Sequence, residues 1–512
     1  ARAAPEDGVT VRYRAAAASS ATSGAGGVLG DANGVLLGAR YLRVAEHDGP
    51  CTVRYRVPDG WAIHHPSDAQ ALPDRTWAYR DHAHLLDTPV SFGRVDRIVR
   101  EVRGTSFHHV FLTHAMGFEA SVEGFVDDLC EIAGLYHDLF GAFPFDDYSF
   151  VLSFDPAHAW RCAHAAGSLV GLDPATFYDS DRYNASLRAC AHALFQAWNG
   201  CRLRPAPPGR AEFERDGASE GRWVAEGFTR YFALLSCTRT ALYTPAQFFA
   251  AIAGDYAHLA ALPAYGTVSA VDASVAASLA RAPYPGRANS AIDHEVAGML
   301  IAFELDAMLR LDSHGARSLD DVFAGLFEAA AGQGKGYTLD ALCAFVETRQ
   351  PGLGRFLAAR ATEAGQLTLP DRLRGLGFDL GERPAPYLGL MLDGDAGPAI
   401  GSVLDGSPAS RSGLAAEDRI QAVDGYPFSF DALTSAARQG GDVALDVLRG
   451  NRPGRYTIRA GTRTTLRCLH WAGSARQADL IAHWLQQPFA PAAGQLFPLD
   501  FNEHGHGGAT VI

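Results

Sequence analysis

Residues Ala191 to Pro205 read AHALFQAWNGCRLRP, and the run LRACAHALFQAW, which leads in from Leu187, places its apolar residues at helical spacing. Residues four apart share one helix face, so His192 and Gln196 stand one turn apart with Ala193, Leu194 and Phe195 between them. By that spacing a single helix can offer two side chains to one metal or one ligand. The same period recurs downstream in WVAEGFTRYFALL from Trp223, HEVAGMLIAFELDAMLRL from His294 and SLDDVFAGLFEAAA from Ser318, and predicts a helical region from Ser186 to about Gly375. Upstream, CTVRYRV, HHVFLTH and YSFVLSF are short β-rich runs broken by Gly, Pro and Asp, with one helical stretch over Val122 to Phe140. Near Asp379 the chain passes through GERPAP into Gly-punctuated β-segments that end near Arg459.

These shifts divide the chain into a flexible Ala/Gly/Ser-rich start (1–34), a β-rich region leading into the next (35–154), a helical domain (155–378), a small β-module (379–465) and a C-terminal extension (466–512) treated as flexible. A length of 512 residues agrees, since it exceeds what one core usually supports. With 47% apolar and 20% charged residues the chain is of ordinary globular composition. A formal charge of −13 without any Lys/Arg block excludes nucleic acid and anionic membranes as expected partners. No stretch approaches the ~18 uninterrupted apolar residues of a membrane span, so solubility is expected. The Ala1 to Asp7 start shows no basic-then-apolar leader pattern, which leaves the compartment open with the cytoplasm favoured. The eight cysteines are scattered without a CxxC pair and are expected to be reduced, mostly buried thiols.

The Ala191–Pro205 segment resembles the zinc-binding helix of the M61 (glycyl aminopeptidase-like) peptidases, whose pattern is HExxH, then WN and a basic, proline-ended turn. WVAEGFTRYF (Trp223 to Phe232) resembles the segment that supplies that family's third ligand. PDGW (Pro58 to Trp61), LLDTPVSFG (Leu85 to Gly93), LFGAFPFDDYSF (Leu139 to Phe150) and GARSLDDVF (Gly315 to Phe323) fall in the family's order. YLGLML (Tyr387 to Leu392) followed by GSPASRSGLAAEDRIQAVDG (Gly406 to Gly425) resembles a PDZ signature. The resemblance spans roughly residues 35–459. It implies an α+β multidomain protein: an N-terminal β-domain, a thermolysin-like, mainly helical catalytic-type domain and a C-terminal PDZ domain.

In HExxH the two His rings reach one metal while the Glu serves as base toward metal-bound water. Here only His192 survives: Ala193 carries no proton acceptor, and Gln196 offers a neutral amide where zinc prefers imidazole, thiolate or carboxylate. Glu226 matches the third-ligand position. In WRCAHAAGS (Trp160 to Ser168), Ala163 stands where the resemblance implies an amine-clamping Glu, while His164 remains. In NSAIDHEVAG (Asn289 to Gly298), the implied oxyanion-steadying Tyr is replaced by His294 or Glu295, depending on register. Each of these has a plain structural reading: His192 as a hydrogen-bonded interior residue, Glu226 as the i,i+4 partner of Arg230, His164 satisfying a backbone carbonyl, and His294 and Glu295 as polar residues at a helix start. Glu503, His504 and His506 are read as a solvated tail rather than a metal site.

The expected function follows from the departures. No cofactor or metal is expected, and the chain is not expected to work as a zinc peptidase. Whether it is an enzyme at all is left open between classes. In one, Glu226 with one of His164, His192 or His294 performs metal-independent acid–base chemistry on a small molecule or amine-bearing intermediate in the cleft. In another, the chain is a non-catalytic peptide-binding scaffold whose Tyr387, Leu388, Gly389 and Leu390 take a peptide C-terminus. Residual metallo-aminopeptidase activity is the third. Cleft shape separates them: a pocket filled by Phe195, Trp198 and Trp160 favours the scaffold.

Overall fold

The computed structural model describes residues 12, 14, 28–38, 49–66, 69–112, 119–156, 158, 161–206, 219–279, 284–331, 336–365, 367–392 and 397–499. Glu503, His504, His506 and Trp160 lie outside them. The chain divides into two compact units, residues 1–119 with 145–174, and residues 120–144 with 175–512.

The first unit is β-rich. Its largest sheet has the strand order Arg161–His164, Gly167–Gly171, Asp147–Ser153, Thr105–Phe111, Asp96–Val102. The central strand Asp147–Ser153 runs parallel to both neighbours. All seven of its residues are buried, which is why YSFVLSF reads as a near-continuous apolar run instead of an alternating one. Because Arg161–His164 and Gly167–Gly171 belong to this sheet, it runs across residue 154, where the sequence reading places a boundary. A four-stranded antiparallel sheet (Val28–Leu29, Asn33–Leu37, Pro89–Gly93, Ala62–His64) and a three-stranded one (Cys51–Arg54, Thr76–Tyr79, Gln70–Leu72) complete the unit. The short helix His82–Asp87 starts where the Asp81 carboxylate accepts the His84 N–H, and it ends on Asp87.

The second unit is mainly helical. Ser180–Phe195, the helix of the opening motif, begins at Asp179, whose carboxylate caps the N–H groups of Asp181 and Arg182. It packs on Gly227–Arg239, which crosses His294–Ser313. That crossing is close: a Cβ on Gly227 would lie 2.4 Å from the Gly298 Cα, so only glycine fits. Phe195 and Trp198 turn into the core between helices, fully buried, with Phe195 against Phe232 and Tyr136 and Trp198 against Phe140.

The long strand Phe378–Tyr387 pairs with Gly461–Trp471. Between them, residues 388–460 form a module of two small sheets and the helix Phe430–Gln439 around a core that includes Leu388, Leu390, Leu392, Ile420, Leu433 and Ile458. Residues 466–499, expected as a loose extension, are instead folded. Gly461–Trp471 also pairs with Leu496–Pro498, and the helix Ala475–Leu485 opens on a Ser474/Gln477 capping box. That helix buries Trp484, whose indole N–H donates to the Tyr231 hydroxyl at 3.2 Å. Among the described residues no helix is long and apolar enough to cross a membrane. All eight cysteines are free thiols; three are buried and five partly exposed.

Candidate functional site

The second unit brings His192, Gln196 and Glu226 together. Helical spacing puts His192 and Gln196 on one face. Glu226 sits at the break between Arg222–Ala225 and Gly227–Arg239, serving as the end of one helix and the start of the next. Asn199 fixes that break: fully buried, its amide donates to the carbonyls of Val224 and Ala225 and to the Thr229 hydroxyl at 3.0–3.1 Å. This gives the WN dipeptide a physical role, since Trp198 fills the core while Asn199 holds the turn that presents Glu226. The Gln196 amide N–H donates to Glu226 Oε2 at 2.6 Å, and His192 Nε2 lies 3.3 Å from the same oxygen. The His192 side chain is 3% exposed and that of Glu226 23%, so the carboxylate is the member that reaches solvent.

Arg230 is held elsewhere than the i,i+4 reading supposes. Its guanidinium donates to Asp255 at 2.9 Å. Burial opposes its charge, yet Asp255, Glu295 and Asp293 outweigh that and push its pKa up. His294 and Glu295 do open a helix, His294–Ser313, whose start is capped by the Asp293 carboxylate. Glu295 is half-buried, whereas His294 is buried with neither ring nitrogen hydrogen-bonded.

Sequence reasoning missed Tyr337. The chain pairs Tyr337 with the proline-ended turn after the motif: its N–H donates to the Arg204 carbonyl at 2.9 Å, and its carbonyl accepts from Ala206 at 2.7 Å. The hydroxyl is buried without a hydrogen-bond partner. Burial, reinforced by the Glu226 charge, holds it protonated well above the ordinary tyrosine range. Nothing local in the sequence around Tyr337 signals this, because the pairing spans more than a hundred residues.

His164, in the first unit, has its own setting. Strand alternation places Cys162 and His164 on one face of Arg161–His164, the edge strand of the five-stranded sheet. Cys162 Sγ is 3.5 Å from His164 Nε2, and His164 Nδ1 is 3.1 Å from Asp87 Oδ1. Asp87 Oδ2 accepts the Ala165 N–H at 3.0 Å. The imidazole is thus bound by a carboxylate and a thiol, not by a backbone carbonyl.

As a zinc site the helical cluster fits poorly. His192 and Glu226 are strong ligand types; the third contributor is an amide whose nitrogen, as placed, faces the carboxylate. Among the described residues no group of three or more His, Cys, Asp or Glu side chains is arranged to hold a metal. The cavity of about 540 Å³ bounded by Arg239, Arg310, Asp320 and His483 includes none of the candidate residues.

Comparison with known proteins places this geometry in a family context. Residues 185–301, which contain His192, Gln196, Glu226, His294 and Glu295, match the M61 glycyl aminopeptidase family model. An aminopeptidase N family protein from Idiomarina loihiensis shares the fold, with a TM-score of 0.77 at 19% identity over 90% of this chain and 83% of the other. An M1 zinc metallopeptidase from Deinococcus radiodurans aligns with a TM-score of 0.40 at 16% identity over 62% of this chain and 63% of its own. No curated protein matches the chain.

Proposed function

We propose that this chain uses an aminopeptidase-type fold for metal-independent acid–base chemistry on a small molecule or amine-bearing intermediate, and that it is not a working zinc peptidase. The observation that carries the reading is the shared oxygen: Gln196 and His192 both address Glu226 Oε2. A zinc peptidase needs three strong ligands and a separate base. Here the residue in the third-ligand position is tied to an amide, and Ala193 supplies no base. A partly exposed carboxylate beside a buried imidazole suits proton transfer instead. Glu226 removes a proton from the substrate, and its negative charge favours a substrate bearing an amine. His192 and Gln196 orient the carboxylate through the shared oxygen, and His192 stabilises the charge that moves through it. His294 remains a further proton-transfer group in this reading, with Glu295 setting charge near Arg230.

The peptide-binding reading has its own support. Gly389 adopts a φ of +82°, and a Cβ there would lie 2.0 Å from the Ser407 Cβ, so the Tyr387–Leu390 turn requires glycine. Among the described residues Leu390–Leu392 pairs only with Ile400–Val403, which leaves its other edge for an added strand, as in a PDZ domain. The module docks on residues 286–289 through the Ile400–Val403 strand: Gly286 donates to the Gly401 carbonyl and Asn289 to that of Val403, both at 2.8 Å. In this reading the groove edge stays accessible to a peptide C-terminus.

The test pairs metal analysis with two probes. Dialysed protein is expected to hold no stoichiometric zinc and to leave glycyl-p-nitroanilide intact. It is expected to accelerate ring-opening of 5-nitrobenzisoxazole, a reaction in which a base removes a C–H proton as the N–O bond breaks. Chelator leaves that rate unchanged, and Glu226→Gln lowers it roughly 10²–10⁴-fold with the melting temperature kept. Chelator-sensitive release of glycine by zinc-loaded protein would overturn the proposal.

A further inference from the structure

Cys162, His164 and Asp87 form a line of three groups that the acid–base reading does not use. Their order is that of an activated nucleophile: a sulfur, an imidazole nitrogen facing it, and a carboxylate on the opposite ring nitrogen. Asp87 is also tied to the hairpin turn. One oxygen takes His164 Nδ1 and the other takes the Ala165 N–H, so both the ring and the turn that carries it are fixed by one carboxylate. That bond sets the tautomer: with Nδ1 donating to Asp87, Nε2 is the nitrogen that exchanges a proton with sulfur. Burial is graded along the line. His164 is buried, while Cys162, on the edge strand and in register with Leu169, stays partly exposed. Cys162 packs on the apolar cluster that includes Val110, Val151 and Leu169 but is only partly buried and has an imidazole beside its sulfur, whereas Cys190 is fully buried with its thiol pushed up by burial. Burial would lower the His164 pKa; the Cys162 sulfur and the Asp87 carboxylate outweigh it and raise it to about 10.

We propose that Cys162 is the nucleophile of a second site in this chain that accepts small acyl groups from activated esters or thioesters, with His164 as its base and acid and Asp87 as the residue that positions the imidazole. In the resting pair the Cys162 proton already sits on His164 Nε2, and the sulfur attacks the acyl carbon as the thiolate. The carbon–sulfur bond to Cys162 forms as the bond to the donor's alkoxide or thiolate breaks. That leaving group takes the proton from His164. The acyl-cysteine then loses its acyl group to water or an amine, whose proton returns to His164 as the Cys162 sulfur departs. A thioacyl intermediate needs no metal and no external oxidant, and the imidazole beside the sulfur serves both half-reactions.

The probe is p-nitrophenyl acetate with the full chain. The expected result is a burst of p-nitrophenolate and a single acetyl group that peptide mapping places on Cys162, ahead of the other seven cysteines. His164→Ala is expected to slow that acylation at least tenfold. Asp87→Asn is expected to slow it less and to move its pH profile, which a merely structural role would not do. If His164→Ala fails to fold, the wild-type pH profile of Cys162 alkylation by iodoacetamide decides. With His164 on its own strand and Asp87 from the His82–Asp87 helix facing it, the rate is expected to be nearly flat between about pH 6 and 8; an ordinary thiol instead climbs roughly tenfold per unit. Acetylation spread evenly over the cysteines, or a rate that climbs like a free thiol, overturns the proposal.

Discussion

Two histidine–carboxylate pairs, one in each unit, show how secondary structure decides what an imidazole can do. On the helix, His192 shares a face with the residue four positions on, and that residue is Gln196; both meet Glu226, so the pair gains an amide and no nucleophile. On the strand, His164 shares a face with the residue two positions back, and that residue is Cys162; the pair with Asp87 gains a thiol. In both pairs the carboxylate is more exposed than its ring, Glu226 at 23% beside a buried His192 and Asp87 at 44% beside a buried His164, whereas the reacting group proposed for the strand pair is the sulfur. The pairs have similar chemistry but opposite reacting ends, the carboxylate in one and the thiol in the other.

The largest effect that sharpens this contrast is on stability against pH. His164 has its folded pKa raised above the ordinary 6.5 to about 10. Its contribution is therefore complete below pH 6.5 and is lost as pH rises toward 10. His64, in the same unit, behaves oppositely. Burial, then the charge of Arg97, lowers its pKa to about 3, with its ring bonded to the Ser149 hydroxyl at 2.9 Å. It stays neutral in the fold, so stability is complete above pH 6.5 and falls as pH drops toward 3. Each swing has an upper size of roughly 5 kcal/mol at about 1.4 kcal/mol per pKa unit. Urea denaturation at pH 4.5, 6.5 and 9 is expected to give a maximum near 6.5, and His164→Gln is expected to flatten the alkaline side alone. An unchanged alkaline slope in that variant removes the charged imidazole from the strand pair.

A smaller effect separates the supports of the two pairs. Glu226 is presented by a helix break that Asn199 holds, whereas Asp87 ends a short capped helix in the other unit. Asn199→Ala leaves two buried carbonyls without their donor and should cost about 2–3 kcal/mol. With Glu226 released, proton transfer to the benzisoxazole probe should fall with it, while Cys162 alkylation stays at its wild-type rate. Equal loss of both activities would mean that the pairs are not separately supported.

What the sequence makes legible is whatever repeats within a few residues. The i,i+4 relation of His192 to Gln196, the helix from His294 and the strand-like YSFVLSF run are local patterns that the structure follows, whereas the helical run from Trp223 is broken at Glu226 into Arg222–Ala225 and Gly227–Arg239. Partners chosen across the chain are hidden. Asp87 lies 77 positions from His164, and Arg230 takes Asp255 rather than its helical neighbour Glu226. Tyr337 is reached only because its backbone pairs with Arg204 and Ala206. One miss was local, however. Ser474 with Gln477 three positions on is a capping-box pattern ahead of ADLIAHWL, and it marks the helix in what reads compositionally as a loose tail.

The smallest expected effect is on Tyr337, and it tests whether the helix pair is a site or only a packed remnant. A buried hydroxyl without a partner costs roughly 1–3 kcal/mol relative to one that is bonded. Tyr337→Phe removes the hydroxyl and keeps the ring, so stability should stay level or rise by up to about 1 kcal/mol. A remnant would register nothing else. A second effect is expected if Glu226 works on a bound small molecule and the Tyr337 hydroxyl, held protonated by burial and by the Glu226 charge, donates to that molecule. The same substitution should then lower the benzisoxazole rate several-fold while the thermal melt holds or rises. A more stable protein with a slower reaction identifies Tyr337 as a group kept unpaired for a substrate, a signature that the strand pair, whose imidazole is already bonded on both sides, should not show. A melt that holds with no change in rate confines Tyr337 to packing and leaves the acid–base chemistry to Glu226 and His192.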